Sequence, residues 1–130
     1  MLKMFYQQLY GNRVENTQEN QPLMNPELEV KLAEKPLRGF PNESLNASVI
    51  TVYYSPSLEA MWIITRGRKL PNGDYLLFGY CYGVEWKWGP VHLSELERLQ
   101  EVTLVKQITN CKGKTVNDYV KKSNLKNLFN

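Results

Sequence analysis

A chain of 130 residues with 42% hydrophobic and 22% charged side chains has the makeup of a single globular domain with a modest core. No apolar run approaches the roughly 18–20 residues a membrane-crossing helix needs, and the N-terminus turns polar too early for a secretory signal, so a cytoplasmic protein is expected. The net charge of +3 arises at the C-terminal end, where six lysines after residue 100 face only Glu101 and Asp118.

In chain order, residues 11–25 are rich in Asn, Gln and Glu and poor in apolar side chains, which predicts a flexible N-terminal arm over 1–25. Asn25-Pro26 has the form of an N-cap followed by proline at the first helical position. Leu28 and Leu32 fall on one face of that helix, and Pro36 ends it. Ser48–Tyr54 and Ala60–Arg66 alternate as strands, the second with Trp62 and Ile64 on one face and Met61, Ile63 and Thr65 on the other. Pro71-Asn72-Gly73-Asp74 is a hairpin turn signal, returning into a strand over Tyr75–Tyr82. Leu76, Phe78, Tyr80 and Tyr82 share a face there, and Gly79 on the other face points to a bulge or a close backbone approach. Trp86-Lys87-Trp88-Gly89 then reads as an exposed turn. Ser94 with Glu97 forms a capping-box pattern for a helix over 95–100, and Val102–Ile108 alternates as a fourth strand. Thr115 with Asp118 caps a last helix running to about Lys122.

Together these elements predict an α+β domain over 26–122, followed by a tail over 123–130. Its expected architecture is an antiparallel sheet of about four strands in meander order, with two or three short helices packed on one face.

The order Trp62-Ile63-Ile64-Thr65, Phe78-Gly79-Tyr80 and Gly89-Pro90-Val91-His92-Leu93-Ser94-Glu95-Leu96-Glu97 resembles a small bacterial family, the domain of unknown function 2958. That family has a Trp-x-x-Thr-Glu strand, a Phe-Gly strand and a Leu-Ser-Glu-Leu-Glu segment. Arg66 stands here where the family often has Glu, and Pro90-Val91-His92 replaces Gly-Tyr-Phe-like residues. The resemblance implies an accessory protein of plasmids, phages or other mobile elements. It carries over no chemistry.

The residues themselves offer little to catalysis. His92 is the only histidine, so no histidine pair exists for a metal or for proton relay. Glu85, Glu95 and Glu97 form no visible dyad, Ser94 reads as a helix cap, and Cys81 lies between Tyr80 and Tyr82 with no basic neighbour to activate it. No catalytic residue, metal ligand or cofactor is assigned.

What remains is binding. Nine of the fifteen aromatics fall between residues 53 and 88, more than one core face accommodates, so some reach the surface. The expected partner surface comprises Arg66, Arg68, Lys69, Glu85, Trp86, Lys87, Trp88 and His92, on loops over 66–70 and 84–92. The favoured expectation, motivated by the mobile-element resemblance, is a non-enzymatic protein that binds a host or defence-system protein, such as a defence nuclease it inhibits. The alternative is a nucleic-acid-binding module using Lys112, Lys114, Lys121, Lys122 and Lys126 with the exposed aromatics. A solvated lysine-bearing surface explains the same charges. The oligomeric state stays open.

Overall fold

The computed structural model describes residues 21–39 and 41–123. Helix α1 (Pro26–Glu34) forms where the sequence signals it: the Asn25 carboxamide oxygen accepts from the Leu28 amide at 2.9 Å, and Leu28 and Leu32 are buried. Strands β1 (Thr51–Ser55), β2 (Ala60–Lys69), β3 (Tyr75–Tyr82) and β4 (Trp86–His92) follow as an antiparallel meander. Helix α2 (Leu93–Gln100) leads to a short strand β5 (Lys106–Ile108), which crosses back to pair with β1. Helix α3 (Val116–Ser123) closes the described chain. The sheet order is β4-β3-β2-β1-β5, so the α+β architecture holds with five strands instead of about four.

The added strand is β4, the segment expected to be a turn. Trp86, Lys87 and Trp88 alternate inward and outward as a strand requires, and the reversal is made by Gly83, Val84 and Glu85, where Val84 is 95% exposed. The strand expected over 102–108 is shorter than foreseen. The amides of Val102 and Thr103 both donate to the Leu99 carbonyl and prolong the end of α2, which leaves only Lys106–Ile108 to pair.

The helices also divide between the two faces of the sheet, where one face was expected. Leu28 and Leu32 of α1 and Leu93 and Leu96 of α2 pack with Tyr53, Ile64, Tyr75 and Leu77 on one side. Val116 and Tyr119 of α3 pack with Val49, Val52, Met61 and Ile63 on the other. Both faces of the central strands are thereby covered, which explains their near-continuous burial.

Most of the expected mobile arm lies outside the described residues. Its last part does not behave as an arm: Leu23 is buried in the core and its carbonyl accepts from the Tyr53 hydroxyl at 2.7 Å. Burial and the nearby Glu97 charge push the Tyr53 phenol well above its ordinary value.

Capping at α2 departs from the sequence pattern. The helix starts at Leu93, and the Glu95 carboxylate, not Glu97, accepts from the His92 amide at 2.8 Å. Ser94 is held from outside the helix. Asp74, in the β2–β3 turn, accepts from the Ser94 amide at 3.1 Å, the Ser94 hydroxyl at 2.7 Å and the Tyr75 amide at 2.7 Å. Partial desolvation pushes the Asp74 carboxyl up, but those hydrogen bonds and nearby His92 outweigh it and hold the carboxyl below its ordinary value.

Because the folded value is lowered, the Asp74 contribution is complete above the ordinary carboxylate range and disappears as pH falls through the folded value. Asp74→Ala is expected to cost about 1 kcal/mol at neutral pH, as for loss of a helix cap. Urea unfolding at pH 7 and pH 3 checks this: the gap between wild type and variant should narrow in acid. At α3 the predicted box forms as expected, with Asp118 accepting from the Thr115 amide at 2.8 Å.

Candidate functional site

The pairing register lays out one sheet face in rows. Tyr54, Met61, Tyr82 and Trp86 form one row, and Val52, Ile63, Tyr80 and Trp88 the next. A bulge between Ile64 and Arg66 then resets β2, so that Arg66, Phe78 and Pro90 align, followed by Arg68, Leu76 and His92. Helix α3 covers the β1–β2 half of this face. The β3–β4 half keeps Tyr80, Tyr82, Trp86 and Trp88 partly open to solvent.

Those side chains form a continuous ladder with Phe78. Ring centroids lie 5.9 Å apart for Phe78–Trp88, 4.9 Å for Tyr80–Trp88, 5.1 Å for Tyr80–Trp86 and 5.2 Å for Tyr82–Trp86. Two of the contacts are nearly parallel, at 11°, and run diagonally between the strands. Such pairs add about 0.5–1.5 kcal/mol each beyond area burial. The two Trp side chains are therefore half-buried members of a packed ridge, where full exposure on a turn was expected.

The two stretches expected to be binding loops lie mostly in strands β2 and β4, and β3 brings part of each onto one surface. Arg66, Arg68, Trp86, Trp88 and His92 share the ladder face. Arg66 is already engaged, its Nε donating to the Glu43 carboxylate, which also accepts from the Thr65 hydroxyl at 3.3 Å. Arg68 is exposed. Lys69 and Lys87 belong to the opposite face: Lys69 is paired across from Tyr75, with its Nζ 6.0 Å from that ring, and Lys87 is paired across from Cys81. Glu85 sits in the β3–β4 turn, off the face.

The lysines of the alternative site are spread out. Lys112 and Lys114 precede α3, and Lys121 and Lys122 lie near its end, about 10 Å along the axis, with Asp118 between. Lys126 is outside the described residues. Segment 45–49 grips the start of α3: the Val116 amide donates to Ala47 and the Asn117 amide to Leu45.

Ser94, Asp74 and His92 come together, but not as an acyl-transfer triad. The Ser94 hydroxyl donates to Asp74, so no imidazole accepts its proton. His92 Nδ1 instead lies 3.6 Å from the Glu95 carboxylate. Burial pushes the Cys81 thiol up to about 12, which removes the thiolate at neutral pH. Among the described residues, no three His, Cys, Asp or Glu side chains are grouped to hold a metal ion. Cys81 and Cys111 are unpaired, Cys81 beside Trp62 and Cys111 in the α3-side core. No described helix is long and apolar enough to cross a membrane.

Two contributors were missed from the sequence. Glu43, which orients Arg66, lies in a polar loop 23 residues away and carries no local signal. Asp74 looked like a turn residue only, and its reach to Ser94 depends on α2 folding over the hairpin. Phe78, by contrast, was placed on the correct face, but its complete burial beneath its neighbours needed β4 to be known. No protein-family model, curated protein or solved structure matches this chain.

Proposed function

We propose that this chain is a non-enzymatic binding protein that docks a partner protein on the ladder face of β3 and β4. The observation that carries this reading is the ladder itself: a half-exposed ridge of Tyr80, Tyr82, Trp86 and Trp88 on rigid strands, with exposed Arg68 on the same face. Aromatic and arginine side chains dominate binding hot spots because they bury large areas with few torsions to freeze.

The same geometry favours protein over nucleic acid. Base stacking needs an open ring face, whereas Trp88 already stacks on Phe78 and Trp86 on Tyr80, each at 11°. The proposal extends to the class of partner: a host protein, such as a defence nuclease inhibited by an accessory protein of a phage or other mobile element.

Capture from a bacterial lysate, with and without nuclease treatment, tests the reading. A stoichiometric protein that resists nuclease should be retained by wild type and lost with Arg68→Glu, an exposed change that leaves the fold intact. Recovery of nuclease-sensitive nucleic acid alone would contradict the proposal.

A further inference from the structure

Strand β4 ends the sheet, and among the described residues only β3 pairs with it. In an antiparallel ladder, residues of one parity direct their N–H and C=O groups to the neighbour and the other parity directs them away. Pro90 has no N–H to give, and the His92 amide is spent on the Glu95 carboxylate. Both belong to the set 86, 88, 90 and 92, which therefore faces outward, while Lys87, Gly89 and Val91 serve β3. The side chains agree. Pairs that exchange no hydrogen bonds approach more closely, and the directly opposed Tyr80–Trp88 and Tyr82–Trp86 rings are in tilted contact, with centroids 4.9 and 5.2 Å apart.

The outer edge is thus half closed. Proline at 90 and the Glu95 cap at 92 deny an incoming strand its donors there, a common defence of sheet edges. Donors remain at Trp86 and Trp88. At that open end the two indoles lie on one face, and exposed Lys87 lies between them on the other.

A second copy of the chain fits this edge poorly. Two-fold pairing about Lys87 sets two ammonium groups side by side, and like charges directly opposed repel. Pairing about Gly89 opposes Trp88 to Pro90 and Trp86 to His92, and forfeits a donor in each pair.

Resting on the reading of the ladder face as a protein-docking surface, we infer that β4 binds by strand addition. A short extended segment of a partner protein pairs with Trp86–Trp88, presenting an acidic side chain beside Lys87 and apolar side chains beside the two indoles. Main-chain bonds supply the affinity, and the alternating side chains supply the selectivity.

Amide hydrogen exchange on the full chain by NMR tests this. In the free protein, the Trp86 and Trp88 amides should exchange fast and those of Lys87, Gly89 and Val91 slowly. Addition of the blocked peptide Thr-Val-Glu-Val-Thr should protect Trp86 and Trp88, and its twin with Lys for Glu should bind a few-fold more weakly. Lys87→Glu, at an exposed position, should reverse that preference. Slow Trp86 and Trp88 exchange without peptide, no protection at millimolar peptide, or indifference to the charge swap would each overturn strand addition. A captured partner that depends on Arg68 yet leaves both amides unprotected would overturn strand addition while leaving the ladder-face reading standing.

Discussion

Gly79→Ala should abolish or severely weaken folding, at a cost of about 3 kcal/mol or more, because overpacking against backbone has no cheap relaxation. A methyl group at this position would lie 1.8 Å from the Ile63 carbonyl oxygen, 2.7 Å from the Ile63 carbonyl carbon and 2.9 Å from the Ile64 Cα. None of these is the mobile end of a side chain. The crowding comes from the bulge opposite, where β2 gains an extra residue at Thr65 and presses its backbone toward β3.

That bulge also turns Arg66 and Arg68 onto the ladder face, so the glycine and the binding surface share one cause. Gly89 is the matched control. It pairs directly across from Gly79, and a Cβ there meets nothing within 4 Å. Gly89→Ala should be neutral or slightly stabilising, by up to about 0.5 kcal/mol, through lost freedom in the unfolded chain. Thermal and urea unfolding of the two variants check the pair. Equal stabilities would refute the close approach.

Trp88→Ala should carry the next largest effect. Its ring stacks on Phe78 and Tyr80, and its removal exposes a phenylalanine that is now 1% accessible. A fully buried Trp→Ala change costs about 3–5 kcal/mol, and a half-buried one about 2 kcal/mol. Trp86→Ala, whose neighbours Tyr80 and Tyr82 are themselves partly solvated, should cost less, about 1 kcal/mol. Urea unfolding measures both costs, and near-ultraviolet circular dichroism should show the ladder signal collapse more completely for Trp88→Ala. Affinity for the partner should fall at least about thirty-fold in Trp88→Ala if the ridge is a hot spot.

These effects show which parts of the molecule were legible in the sequence. Asn25-Pro26, the Pro71–Asp74 turn and Thr115 with Asp118 were readable because each acts within four residues. Strand β3 was readable down to the face of its aromatics and the meaning of Gly79, since a period-2 pattern survives without tertiary information. Strand β4 was misread because the glycine closing Trp86-Lys87-Trp88-Gly89 looks like a turn signal, although Trp86, Lys87 and Trp88 carry the alternation of a strand. An edge strand tolerates the proline that a central strand would not.

The site was only partly visible for the same reason. Its residue types were picked out, but their grouping depends on register, which one bulge alters. Arg68 and His92 come into line only because Leu76 stands between them in β3. Lys69 and Lys87, one residue away from ladder-face positions, fall on the other side. The pairing of Arg66 with Glu43 and the capping of Ser94 by Asp74 are long-range contacts with no local trace.

The most direct test of the central claim is the affinity of the captured partner for the purified protein, measured from 50 mM to 500 mM salt. Docking on the aromatic ridge predicts a dissociation constant that changes little over that range, because apolar burial is not screened. An affinity that falls by orders of magnitude as salt rises would mark phosphate-driven binding through the lysines and contradict the account.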